Sequence, residues 1–170
     1  MNMLTVSSLI CAIIALTRAA GETDLNTNST HCPSGWIADI GRCFLYVPKL
    51  MTWANAEKNC QSEGGNLASL HSFCEYHVIQ SLLLRLTKSY RLTWVGGFDA
   101  QQEGIWFWSD GTPFDLPIGS PIYWSSGMPD NHLNGDCLAM NFGGEHKLDD
   151  QYCGNQRPSV CSKKQTGTIG

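Results

Sequence analysis

An α+β fold is what the sequence predicts: two amphipathic helices, then short antiparallel strands, with a long structured loop and disulfides bracing the whole. Three observations lead there. Apolar residues recur at helical spacing over 52–60 and again over 72–86. Short β-like pieces follow at 93–96, 105–108, 137–140 and 159–161. Eight cysteines in 170 residues, behind an apolar leader, are the usage of an oxidising compartment.

The leader comes first. An apolar run over 9–16 ends in Thr17-Arg18-Ala19-Ala20, which reads as a secretory signal peptide at 1–19. The run is well short of the roughly 20 residues that span a bilayer, so no membrane span is expected and the protein is read as secreted. A polar, flexible leader occupies 20–31 and carries the glycosylation sequon Asn28-Ser29-Thr30. The folded domain is placed at 32–163 and a C-terminal tail at 164–170.

Within the domain, Cys32-Pro33-Ser34-Gly35-Trp36 and Gly41-Arg42-Cys43-Phe44 flank a short turn before the apolar-rich Phe44-Leu45-Tyr46-Val47. This is the pattern of a small hairpin closed by a local disulfide. In the first helix Trp53, Ala56 and Cys60 share a face, Thr52 stands at the N-cap and Gly64-Gly65 stops the chain. The second opens on Ser72-Phe73-Cys74-Glu75, a capping box whose hydroxyl and carboxylate each satisfy an orphan backbone donor. Tyr76, Ile79, Leu82, Leu83 and Leu86 continue it as a core-facing stripe. Between Trp108 and Cys137 the chain is rich in Gly, Pro, Ser and Asp, without periodicity. A loop of that length in a compact domain is a functional candidate.

The charge balance, 15 acidic against 11 basic residues, argues against nucleic acid as a partner, because phosphate neutralisation needs clustered Lys and Arg. Cys11 leaves with the leader, so Cys32, Cys43, Cys60, Cys74, Cys137, Cys153 and Cys161 remain, and seven cannot all pair within one chain. No Cys-x-x-Cys or Cys-His spacing points to zinc. His31, His71, His77, His132 and His146 show no catalytic spacing with Ser, Cys or Asp, so an enzyme is not expected.

Taken together, these residues resemble the C-type lectin-like domain. The resemblance rests on Cys32-Pro33-x-Gly35-Trp36, Met51-Thr52-Trp53-Ala54-x-Ala56-Glu57, Gly64-Gly65-Asn66-Leu67-Ala68-Ser69, Trp94-Val95-Gly96-Gly97 and Trp106-x-Trp108-Ser109-Asp110-Gly111. Within the family the chain is similar to secreted fish ladderlectin-type lectins and type II antifreeze proteins. The resemblance implies the C-type lectin-like fold and the disulfides Cys32–Cys43, Cys60–Cys161 and Cys137–Cys153. It leaves Cys74 unpaired, available for a disulfide-linked homodimer or a capped thiol.

For function, the resemblance implies a calcium ion held by the residues flanking a cis-proline, an acid shortly before a cysteine and an Asn-Asp pair. Carried over, the proline is Pro129, Asp130 matches the galactose-type order, and the pair reads Asp149-Asp150. Met128 has no oxygen to offer a hard cation, so that ligand position is lost. The acid before the cysteine aligns to Gly135, with Asp136 as a substitute. The expected metal ligands are therefore Asp130, Asp136, Asp149 and Asp150. Asp130, Asn131, His132 and Asn134 are the expected ligand-binding residues, and Trp124 is read as core first.

The expected function is a secreted lectin for galactose-type glycans, with weak or degenerate calcium dependence and a role in recognising microbes. An ice-binding protein of the type II antifreeze kind is the alternative. The absence of any cysteine from 75 to 136 speaks against it. A third reading is a protein-binding domain in which Met128 is an apolar contact.

Overall fold

The computed structural model describes residues 30–167. The expected signal peptide, Asn28 of the sequon and the last three residues lie outside them. Among the described residues the chain runs β1 (Thr30–His31), β2 (Ile37–Asp39), β3 (Arg42–Met51), α1 (Trp53–Ser62), β4 (Asn66–Leu67), α2 (Phe73–Thr87), β5 (Thr93–Phe98), β6 (Phe107–Trp108), β7 (Cys137–Phe142), β8 (Lys147–Gln151), β9 (Arg157–Lys164) and β10 (Thr166–Gly167). The α+β C-type lectin-like architecture expected from the sequence is what forms.

β2 and β3 make the expected hairpin, turned at Ile40 and Gly41, both with positive φ. Cys32–Cys43 closes its base. β3 runs on to Met51, well past Val47, because it pairs along its length with β9. Thr52 caps α1 through its hydroxyl on the Asn55 N–H, and Gly64, at φ 76°, lets the chain leave the helix.

At α2 only half of the capping box forms. The Ser72 hydroxyl accepts from the Glu75 N–H at 3.1 Å, but the Glu75 carboxylate accepts from His71 N–H at 2.9 Å and from Arg42 Nη1 at 3.1 Å. A half-buried arginine outcompetes the helix's own backbone for that carboxylate. The stripe of α2 is buried through Leu83, whereas Leu86 is 45% exposed and only flanks the core.

The main sheet orders its strands β2-β3-β9-β5-β7-β8, with β4 on β9 and β6 on β5. Expected as antiparallel, it is mixed: β5 and β9 meet in parallel at Trp94 and Ser159. Trp94, Leu67, Ala56 and the Cys60–Cys161 disulfide form one buried cluster. Phe44, Leu70, Tyr76, Ile79, Trp106, Trp108, Trp124, Leu138 and Leu148 form the larger one.

The long loop is laced to this core. Trp124 forms a parallel bridge with Leu148, Ser125 N–H donates to Leu148 O at 2.9 Å, and Leu148 N–H donates to Tyr123 O at 2.8 Å. Leu148 is fully buried and serves as the loop's anchor.

Cys74 lies in the first turn of α2, and among the described residues no cysteine is free.

Candidate functional site

The site is built at the open end of the β7–β8 hairpin. Cys137 pairs with Gln151 and Leu138 with Asp150, and the Cys137–Cys153 disulfide ties the strand ends at 5.1 Å between Cα atoms. Successive strand residues face opposite ways, so Asp149 and Asp150 diverge. The Asp149 carboxylate accepts from Gln151 Nε2, and Gln151 Oε1 in turn accepts from Arg157 Nη2 at 2.8 Å. Asp150 faces the loop instead. Its carboxylate accepts from the Asp130 N–H at 3.0 Å and the Asn131 N–H at 2.5 Å, pinning the chain just after the cis Met128–Pro129 bond.

This pinning sets what the loop presents. Asn131, Leu133 and Asn134 all take positive φ, and His132 N–H donates to Asp130 Oδ1 at 2.9 Å, so the loop folds on itself. Asp130, Asn131, His132 and Asn134, the expected ligand-binding residues, are exposed together on one segment. Asn134 donates to Asp136. Met128 packs against the larger apolar cluster, an anchor rather than a ligand. Trp124 is fully buried, as its reading as core requires. Gly135 is forced: a Cβ there would lie 2.8 Å from the Asp150 carbonyl oxygen and 3.1 Å from its carboxylate. The acid that the resemblance led us to expect at this position has no room in the loop.

Beside the loop lies a cleft of about 390 Å³ lined by His132, Leu133, Gln151, Tyr152 and Asn155. Leu133 is 75% and Tyr152 53% exposed, an apolar wall next to polar groups. The Tyr152 ring rests on Gly154, where a Cβ would come within 2.5 Å of it. Sequence reasoning missed Leu133, Tyr152 and this backstop; the signal was Tyr152-Cys153-Gly154, one residue after the acidic pair.

The acids fall into two groups. Asp130, Asp149 and Asp150 do not bring their oxygens together as a set. Among the described residues, the acids that do are Asp99, Glu103 and Asp136, whose ligand atoms lie within 4.8 Å of one another. Asp99 follows β5; its N–H donates to Asp136 O at 3.0 Å, and its Oδ2 accepts from Gly104 N–H at 2.8 Å. Asp99 is 1% exposed, and its Oδ1 has no partner. A buried carboxylate oxygen left unpaired is costly, and a cation would satisfy it. With carboxylate oxygens alone, the set fits a hard cation such as calcium. Asp99 and Glu103 were missed because only the loop was searched; two acids four residues apart behind a strand were the available signal.

Burial pushes the Asp99 carboxyl up to about 6, with Glu103, Asp136 and Asp150 adding repulsion and the Gly104 N–H opposing it. Burial also pushes Asp149 up to about 6, opposed by the Gln151 hydrogen bond and raised further by Asp150 and Asp130. Asp150 is raised by burial, against the pull of the two backbone donors.

A disulfide-braced α+β domain presenting a cis-proline loop beside an acid cluster defines a C-type lectin-like domain. The chain belongs to the C-type lectin family: the Lectin C-type domain model matches residues 49–163. It is 37% identical to ladderlectin of Oncorhynchus mykiss, covering 96% of this chain and 95% of that protein. It is 39% identical to the galactose-specific lectin nattectin of Thalassophryne nattereri, over 79% of this chain and 82% of the relative. The solved structure of herring type II antifreeze protein superposes with a TM-score of 0.70 at 34% identity, covering 79% of this chain and all of the other. No helix of the described residues is long and apolar enough to cross a membrane.

Proposed function

We propose that the chain is a secreted carbohydrate-binding lectin of the galactose-type motif order, acting in recognition of microbial glycans by binding rather than by catalysis. The observation that carries this reading is the juxtaposition of exposed Asp130, Asn131, His132 and Asn134 with the Leu133–Tyr152 wall. A sugar offers hydroxyls on its edge and C–H groups on its face, and this surface matches both. Calcium, held by Asp99, Glu103 and Asp136 next to Asp150, neutralises the acids behind the loop and fixes the loop that presents the contacts. Asp130 and Asp149 stay as further ligand candidates. With Met128 turned inward and Gly135 without a side chain, the direct metal–sugar contact is weakened, which accounts for a degenerate calcium dependence.

The test is retention of the secreted chain on a galactose resin, in calcium and in a chelator, for the parent, Asp130→Ala and Asn134→Ala. Retention by the parent and loss in both variants, with unchanged melting curves, is the expected outcome; retention in both variants would move the site elsewhere. Similarity to the herring antifreeze structure and the 75% exposed Leu133 favour a second reading, ice binding through the same loop. Inhibition of ice growth without sugar retention would establish it.

A further inference from the structure

The opposite end of the β7–β8 hairpin carries a second cleft of about 400 Å³, a volume typical of small-molecule sites. Five strand steps, roughly 16 Å, separate it from the loop site. Its walls are two ring pairs. Tyr90 stacks on His146 with centroids 3.9 Å apart and planes 9° apart, and Phe73 meets the His77 ring edge-on at 4.1 Å. Ile122 also lines it. Phe73 is 38% and Ile122 56% exposed, so water wets apolar surface that a ligand would cover.

Most polar groups of the floor are already used, although Nδ1 of His77 and Nδ1 of His146 are buried without a partner. Tyr76 donates its hydroxyl proton to His146 O at 2.7 Å. The Gln80 amide donates to the same carbonyl at 2.7 Å and also to Asn141 Oδ1 at 3.2 Å. These bonds hold the walls in place and leave little for the many hydroxyls of a sugar. At the rim Glu145 and Lys147 close on each other at 2.8 Å, cancelling their charges. From the ring-walled slot, a polar floor with only two imidazole nitrogens unpartnered and its neutral rim, we infer that this cleft is a binding site for an uncharged, planar aromatic small molecule, separate from the glycan surface.

The probe is 2-naphthol, titrated into the full secreted chain and followed by its fluorescence. Saturable one-to-one binding is expected, weakened at least tenfold by Ile122→Lys and by Phe73→Ala. Leu133→Lys, at the other site, leaves it unchanged, and galactose does not compete. Both weakening substitutions are at exposed positions, and melting curves matching the parent separate lost binding from lost folding. No saturation up to the probe's solubility limit, unchanged affinity in both Ile122→Lys and Phe73→Ala, or loss of binding in Leu133→Lys would overturn the inference. Equally tight binding of the charged 2-naphthoate would overturn the uncharged class.

Discussion

Single atoms decide the site. Gly154 supports the Tyr152 ring so closely that Gly154→Ala must push the ring aside, since the new Cβ would lie 2.5 Å from its edge. A displaced wall weakens glycan retention several-fold while leaving the buried core untouched, and the measurement is retention on the galactose resin beside a melting curve. Unchanged retention would take Tyr152 out of the site. Gly135 shows how far a residue reading reaches. The sequence alignment marked it as a missing acid; the Asp150 carbonyl 2.8 Å from its Cβ position shows that the acid is excluded by packing. Asp130, Asn131, His132 and Asn134 were legible because they sit in one contiguous loop. Asp99 was not, because its partner Asp136 is 37 positions further along the chain and only the β5–β7 pairing joins them.

Between elements, a buried carboxylate does the joining. Glu57 on α1 accepts from the Leu67 N–H of β4 at 2.8 Å, from Asn66 Nδ2 at 2.6 Å, from Gln61 Nε2 at 2.9 Å and from Ser109 Oγ at 2.9 Å. Glu57→Ala leaves several buried donors unpaired and is expected to cost about 3 kcal/mol, lowering the melting temperature by roughly 10 °C. Glu57→Gln keeps half of the acceptors and should fall between; a change of under about 1 kcal/mol in the alanine variant would mean that water replaces the carboxylate. The elements themselves were largely readable: both helices, with caps at Thr52 and Ser72, and the strands β5, β7 and β9. β8 escaped notice because Lys-Leu-Asp-Asp-Gln has neither alternation nor β-branching. It exists because β7 pairs with it and Leu148 inserts into the core. The parallel β5–β9 contact was equally invisible, since it joins strands about sixty residues apart in sequence.

For the whole molecule, the two acids pushed up to about 6 make stability depend on pH in a direction opposite to that of salt-bridged acids. An aspartate in the unfolded chain titrates near about 3.9. Between about pH 4 and 6 the folded protein therefore holds protons on Asp99 and Asp149 that the unfolded chain has released. Stability from these groups is full below the unfolded value and falls as pH rises through that window, levelling off above it. In a chelator, the melting temperature should decline from pH 4 to 6 and then flatten. A cation binds the ionised carboxylates of the native state alone, so millimolar calcium should raise the melting temperature most at pH 7 and shrink or reverse the decline. Asp99→Asn removes one titrating group together with a calcium ligand, so it should lessen both the pH slope in chelator and the calcium shift at pH 7. Asp149→Asn should lessen the slope and leave most of the shift, because its carboxylate is held by Gln151 rather than aimed at the cluster. If the shift persists in Asp99→Asn and vanishes in Asp149→Asn, the cation belongs to the acidic pair on β8 and not to the cluster behind the loop.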